Sequence, residues 1–228
     1  MHPFSRGILN LLYPPLCPSC GRRLGRGETC LCTLCQYRLP RLRLESFAEN
    51  AVSARLAGKI PFEKAAAAFA YQKESLIQSL FESFKYDSNS RLADFLGSMA
   101  GRRLSAQNFF DGIDFIVPVP LHPKKQAVRG YNQSLRIAEG LSRQSGIPVE
   151  TKGLRRVHAT ETQTRKSAWE RQENMWQVFE AVPDVFPPGS HLLLVDDVLT
   201  TGATLEACGR ALLASGKLRL SIFALALA

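Results

Sequence analysis

From residue 64 onward, short apolar runs alternate with segments whose apolar residues recur at helical spacing. KAAAAFAYQ (64–72) is apolar and strand-sized, although its alanines also suit a helix. SLIQSLFESFKY (75–86) places Leu76, Ile77, Leu80, Phe81 and Phe84 on one helical face. SRLADFLGSMAGRRL (90–104) continues with Leu92, Phe95, Leu96 and Met99, and Ser90 stands where a cap is needed. IDFIVPVP (113–120) reads as a buried strand stopped by prolines, and NQSLRIAEGLSRQSG (132–146) as a capped helix ending at Gly146. WQVFEA (176–181) reads as a strand, and HLLLVDDV (191–198) as a hydrophobic strand ending in acids. Gly202–Ser215 is a helix closed by Gly216, and KLRLSIFALAL is a last strand. Continuous apolar strands alternating with helices predict an α/β fold whose parallel sheet is covered on both faces. Residues 36–60 form a connector ending in Gly58 and Pro61, which divides an N-terminal module with its connector (1–58) from an α/β domain (59–228).

The 228 residues hold 45% hydrophobic and 21% charged side chains, which excludes a disordered tail protein. No run approaches the roughly 18 apolar residues that a membrane span needs. Leu218–Ala228 is strand-sized and interrupted by Arg219 and Ser221. The opening text MHPFSRGILNLLYPPL has one Arg and a short apolar patch, without the h-region and cleavage site of a signal peptide. A cytoplasmic location is the expectation. The net charge of +9 is uneven: residues 1–60 carry nine Lys/Arg against three Glu, an excess of +6. Such an excess favours phosphate-bearing partners, or else is a solvated basic face.

Five of the six cysteines lie within nineteen residues, in CPSCGRRLGRGETCLCTLC. Cys17/Cys20 and Cys32/Cys35 form two C-x-x-C pairs with eleven residues between them. A C-x-x-C turn aims two thiolates at one tetrahedral ion, and two such turns close a four-cysteine structural zinc site. Gly21 suits the left-handed turn after the first pair. A disulfide framework does not fit a chain without a secretory signal, and a redox dithiol explains only one pair. Cys30 breaks the paired spacing and reads as a bystander. Four thiolates on one zinc carry two formal negative charges, so they offset part of the local +6.

LLLVDDVLTTGATLEACGRAL (192–212) holds the chemistry: a buried strand, two carboxylates, a Thr/Gly loop, then a helix. Thr200, Thr201, Gly202, Ala203 and Thr204 place backbone N–H groups and hydroxyls at a helix N-terminus, a ready phosphate site. Asp196 and Asp197 point to opposite faces if the strand is regular. Carboxylates beside a phosphate loop suit a sugar phosphate, by taking its hydroxyls or a Mg2+ ion bound to them. Residues 153–175 are polar and turn-prone, as a lid over a labile substrate would be. Tyr131 and Trp169 read as packing residues, His122 and His158 as incidental, and Cys208 as a small buried apolar residue.

The 192–212 segment resembles the diphosphate-sugar signature of type I phosphoribosyltransferases, which bind 5-phosphoribosyl 1-pyrophosphate (PRPP). VPVPLHPKKQAVRGYNQS (117–134), RRVHATETQTRKSAWERQENMWQVF (155–179) and PPLCPSCG with the later C-x-x-C resemble the ComF family of competence-associated, phosphoribosyltransferase-like proteins. Lys166 departs from that pattern, where the family more often has an apolar residue. The resemblance implies a type I phosphoribosyltransferase fold carrying an N-terminal zinc ribbon. It matches Asp196 and Asp197 to the acidic pair facing the ribose, and Thr200 to Thr204 to the 5′-phosphate loop. The 118–130 loop follows a strand as the pyrophosphate loop does, with Lys124, Lys125 and Arg129 as its cations. Arg155, Arg156, Lys166 and Arg171 are the cations that lid closure would bring to the pyrophosphate. The expected cofactors are structural Zn2+ and Mg2+ bound with PRPP. Two functions follow: an enzyme transferring phosphoribosyl to a nitrogenous acceptor, or a non-catalytic accessory protein of DNA uptake. The second would bind single-stranded DNA and other uptake proteins, and use PRPP as a regulatory ligand.

Overall fold

The computed structural model describes residues 14–44, 46–86, 89–157 and 178–228. Its main sheet has four parallel strands in the order β1 (Ala65–Ala70), β6 (Arg219–Leu227), β5 (His191–Leu199), β2 (Phe115–Pro118). In β5, Leu192 and Leu194 enter the core on one face, Leu193 and Val195 the core on the other. A two-residue side-chain period explains why the run lacks polar positions: both faces are covered.

On one face lie α3 (Leu76–Tyr86), α4 (Ser90–Ser105) and α6 (Gln133–Ser145). The last two cross at glycines. A Cβ on Gly97 would strike the Ile137 carbonyl, and one on Gly140 the Asp94 carbonyl and the Ser98 amide nitrogen. Those neighbours are backbone and cannot swing aside, so the crossing needs both glycines. On the other face lie α2 (Ala51–Leu56) and α7 (Ala203–Ala214), with the two-stranded antiparallel hairpin β3 (Leu154–Arg156) and β4 (Phe179–Ala181). Two further short helices are α1 (Thr33–Tyr37) in the cysteine segment and α5 (Pro123–Arg129).

The connector is attached to the sheet. The Leu42 amide donates to Ala68 O and the Ala70 amide to Pro40 O, so residues 40–42 run antiparallel along the outer edge of β1. Arg103 donates to the carbonyls of Leu42 and Ala68 and fixes that seam. An edge covered in this way is closed to pairing with another chain. Cys17, Cys32, Cys35, Leu24 and Leu31 join the same apolar cluster as Phe69, Phe81 and Phe84.

Local details differ from the expectations in two places, the cap of α4 and the 118–130 segment, while the strand reading of 64–72 holds. Asn89, not Ser90, caps α4, its side chain accepting from the Leu92 amide. The Ala-rich 65–70 segment is a strand because β6 and residues 40–42 pair with it from both sides. The 118–130 segment, read as a loop, contains α5, opened by Pro123 at the first helical position, where a missing N–H costs nothing.

The chain changes direction between β2 and β5. From β2 it passes through α5 and α6 and returns beside the outer edge of β2, where Ile116 bridges Val149 in parallel. From β5 it passes through α7 to β6 on the opposite side. The carboxyl ends of β2 and β5 therefore flank a topological switch point, the place where open α/β sheets hold ligands.

Candidate functional site

Asp196 and Asp197 lie in β5 near its carboxyl end, each half-buried. Asp196 Oδ1 accepts the Ser134 hydroxyl at 3.1 Å and the Asp197 amide at 2.8 Å. Asp197 Oδ1 accepts the Val198 amide at 2.7 Å. Burial and the nearby Asp196 charge together push the Cys208 thiol, in α7, well above its ordinary range. Cys208 is thus an inert apolar residue of the core, as expected.

Beyond β5 the chain turns through Thr200, Thr201 and Gly202 into α7. Gly202 adopts the left-handed conformation at φ 84° as the N-cap residue, a geometry that favours glycine. A pocket there is lined by Asp196, Val198, Leu199 and the whole Thr200–Thr204 loop. The Ala203 amide lies 3.4 Å from the Thr201 hydroxyl. Among the described residues no acceptor takes the amides of Thr201, Gly202, Thr204 or Leu205. Free amides at the positive end of a twelve-residue helix, beside threonine hydroxyls, are suited to an anion.

The RGYNQS segment frames the other wall. Arg129, at the end of α5, donates to Gln133 Oε1 at 3.0 Å. Asn132 caps α6 by accepting the Ser134 amide at 3.0 Å, and donates to Val119 O at 2.9 Å. The Tyr131 hydroxyl donates to the Phe84 carbonyl, which makes it a packing residue, and burial pushes its phenol up to about 12. Lys124 and Lys125 lie in the first turn of α5. The segment thereby holds Ser134 against Asp196 across the crevice.

Arg155 and Arg156 stand in β3 and are engaged there. Arg155 pairs with Glu180 of β4 at 2.9 Å, and the Arg156 guanidinium lies 5.2 Å over the Phe179 ring. Lys166, Arg171, Trp169 and His158 lie outside the described residues. Three residues were not anticipated at this site: Ser134, and Arg55 and Lys59 from α2 and the turn after it. Arg55 donates to the Thr200 carbonyl and Lys59 to the Thr201 carbonyl.

Cys17, Cys20, Cys32 and Cys35 come together with their sulfurs all within 4.8 Å of one another. Cys20 and Cys32 sulfurs are 3.7 Å apart. At a Zn–S bond of about 2.3 Å, a tetrahedron requires sulfurs about 3.8 Å apart, so the donor set fits the ion. Burial opposes ionisation of Cys17. The backbone amides of Cys32, Cys20 and Ser19 outweigh it and hold the thiol down at about 7. Burial pushes Cys35 up, to about 12. Glu28 ties the two knuckles together: it accepts the amides of Gly25 and Thr33 and the Thr33 hydroxyl. Those donors, the Gly25 amide first, hold its carboxyl at about 2. Cys30 stands apart, its sulfur 3.6 Å from the Arg91 carbonyl.

No protein-family model matches the chain. Competence protein F of Haemophilus influenzae is 39% identical over 112 residues, 49% of this chain and 49% of its own length. The chain thus spans about half of that relative. Competence protein ComFC of Bacillus subtilis is 36% identical over 105 residues, 45% of this chain and 39% of its own. The chain is thus similar to competence proteins over about half of its length. The DNA utilization protein YhgH of Escherichia coli K12 is similar over nearly its full length, at 26% identity across 94% of this chain and 98% of its own. Among solved structures, an adenine phosphoribosyltransferase is similar over 63% of this chain and 74% of its own, at 18% identity and a TM-score of 0.43. What the structure itself shows is a parallel sheet with flanking helices and a close-set four-cysteine cluster.

Proposed function

We propose that this chain is a ComF-family protein that binds PRPP at the switch point and acts in DNA uptake. The observation that carries the reading is the Thr200–Thr204 loop, with its open amides at the start of α7 and two carboxylates directly before it. The loop takes the 5′-phosphate. Asp196 and Asp197 accept the ribose hydroxyls, and as hard oxygen donors they also suit a Mg2+ ion arriving with the ligand. The 118–130 segment carries Lys124, Lys125 and Arg129 as the cations for the pyrophosphate, since cations stabilise the charge of a departing group. Transfer would break the bond from the ribose anomeric carbon to pyrophosphate and form one to a nitrogen of the acceptor. The competence and DNA utilization names of its relatives support the setting. The four-cysteine cluster binds zinc and shapes the N-terminal module. Calorimetric titration of PRPP should show binding that strengthens when Mg2+ is present. No heat in either condition would remove the ligand reading.

A second reading concerns the cysteine module. Tyr37 is 81% exposed next to the exposed Arg38, and Leu16 is 57% exposed opposite the exposed Arg23. An exposed aromatic among cations is a stacking platform for single-stranded nucleic acid. Binding of an oligo-dT by the full chain should weaken steeply between low and physiological salt, and Tyr37→Ala should weaken it about five- to a hundredfold. A flat salt response would count against it.

A further inference from the structure

Arg55 and Lys59 belong to the connector that follows the cysteine module, yet they end on the loop after β5, 145 and 142 residues further on. α2 is set there by its own chemistry. The Asn50 side chain accepts the amides of Val52 and Ser53, and the Ser53 hydroxyl is paired with the Asn50 backbone. The Asn50 amide group also donates to Ala65 O of β1. Val52 and Leu56 are buried. Leu56 packs so closely on Gly202 that a Cβ there would lie 2.8 Å from Leu56 Cδ2. That leaves Arg55 exposed on the helix flank and Lys59 partly exposed on the turn.

The consequence follows from the planar trans peptide. The C=O of Thr200 and the N–H of Thr201 belong to one peptide unit and point in opposite directions. The same holds for the C=O of Thr201 and the N–H of Gly202. A cation on each carbonyl therefore fixes both amides on the far side of the loop. It also masks two partial negative charges that would repel an anion. Neither cation has a carboxylate within ion-pair distance among the described residues, so both positive charges act on the loop.

We propose that Arg55 and Lys59 are positioning residues of the phosphate loop, which hold the Thr200 and Thr201 carbonyls so that the Thr201 and Gly202 amides receive a ligand phosphate. The ligand site is thereby completed by the segment that carries the cysteine module. This rests on the loop being a phosphate site, and the test separates the two. Ribose 5-phosphate and PRPP are titrated into the full-length protein and its Arg55→Gln/Lys59→Gln variant, with the Thr201 and Gly202 amides followed by NMR. The wild type should bind both, with those two amides moving on saturation. The variant should bind both about ten- to a hundredfold more weakly, as expected for losing charged hydrogen bonds. Its two amides should already be shifted without ligand. The charge-conserving Arg55→Lys/Lys59→Arg pair should restore most of the affinity. It also carries the test if the glutamine variant fails to fold. Wild-type affinity in the glutamine variant, or no rescue by the exchange pair, would overturn the proposal. A wild type that binds neither ligand would overturn the phosphate-site reading, and this inference with it.

Discussion

Asp196→Asn/Asp197→Asn should lower PRPP affinity by more than about a hundredfold while leaving the fold intact, because each lost charged hydrogen bond is worth about 1.5–3 kcal/mol. Asparagine keeps the carboxamide oxygen. The Ser134 hydroxyl and the amides of Asp197 and Val198 can still donate to it, so the strand end retains its local bonds. What disappears is negative charge in a half-buried crevice, where it is less screened than at the open surface. Removing two adjacent like charges also relieves repulsion in the free protein, so the unfolding midpoint should hold or rise slightly. Calorimetry and urea unfolding of the same preparations test both halves. A double variant that binds PRPP like the wild type would mean that the acids do not face the ligand. Asp196→Asn alone would then separate the residue tied to Ser134 from its neighbour.

The large features of this fold were legible because each had a local cause. The apolar run before Asp196 reads as a two-faced strand, and the glycine and threonines after Asp197 read as the turn that opens a helix. The paired C-x-x-C spacing pointed to four sulfurs that do converge. The features that stayed hidden depend on contacts between distant segments. α2 is six residues long, too short for a helical period, and its capping box is Asn50 with Ser53 instead of the commoner Glu at the third position. Nothing near Arg55 or Lys59 shows that their partners are carbonyls more than a hundred residues away. Ser134 could have been noticed, as a small polar residue two places after a capping Asn and on the apolar side of α6, where only a buried partner justifies a hydroxyl. β3 escaped because three residues with one buried leucine carry no alternation to read. The alanines of β1 show a different limit: local preference favours a helix, and pairing on both edges overrides it.

Loss of the cysteine cluster should be the largest stability effect in the molecule. Cys17→Ser/Cys32→Ser removes one ligand from each knuckle, so zinc should fall from one ion per chain to none. The knuckles have little else to hold them: the amides around Cys17 point at its sulfur, and Glu28 supplies the link between the two halves. Binding of a structural zinc is worth about 10–16 kcal/mol in small peptides, and part of that becomes folding energy. Here the module also shares an apolar cluster with Phe69, Phe81 and Phe84, so its release exposes core surface. A loss of about 3–5 kcal/mol corresponds to a Tm lower by roughly 6–20 °C in a chain of this size. Cys30→Ser is the control, since that sulfur stands by the Arg91 carbonyl and outside the four; it should keep its zinc and most of its Tm. Because the ligands must be thiolates, acid should release the metal before the sheet unfolds, and a chelator should reproduce the double variant in the wild type. Zinc retained after Cys17→Ser/Cys32→Ser, or none in wild-type protein purified without chelator, would remove the metal assignment. A zinc-free double variant with an unchanged Tm would show that packing of the module on the sheet is sufficient without the ion.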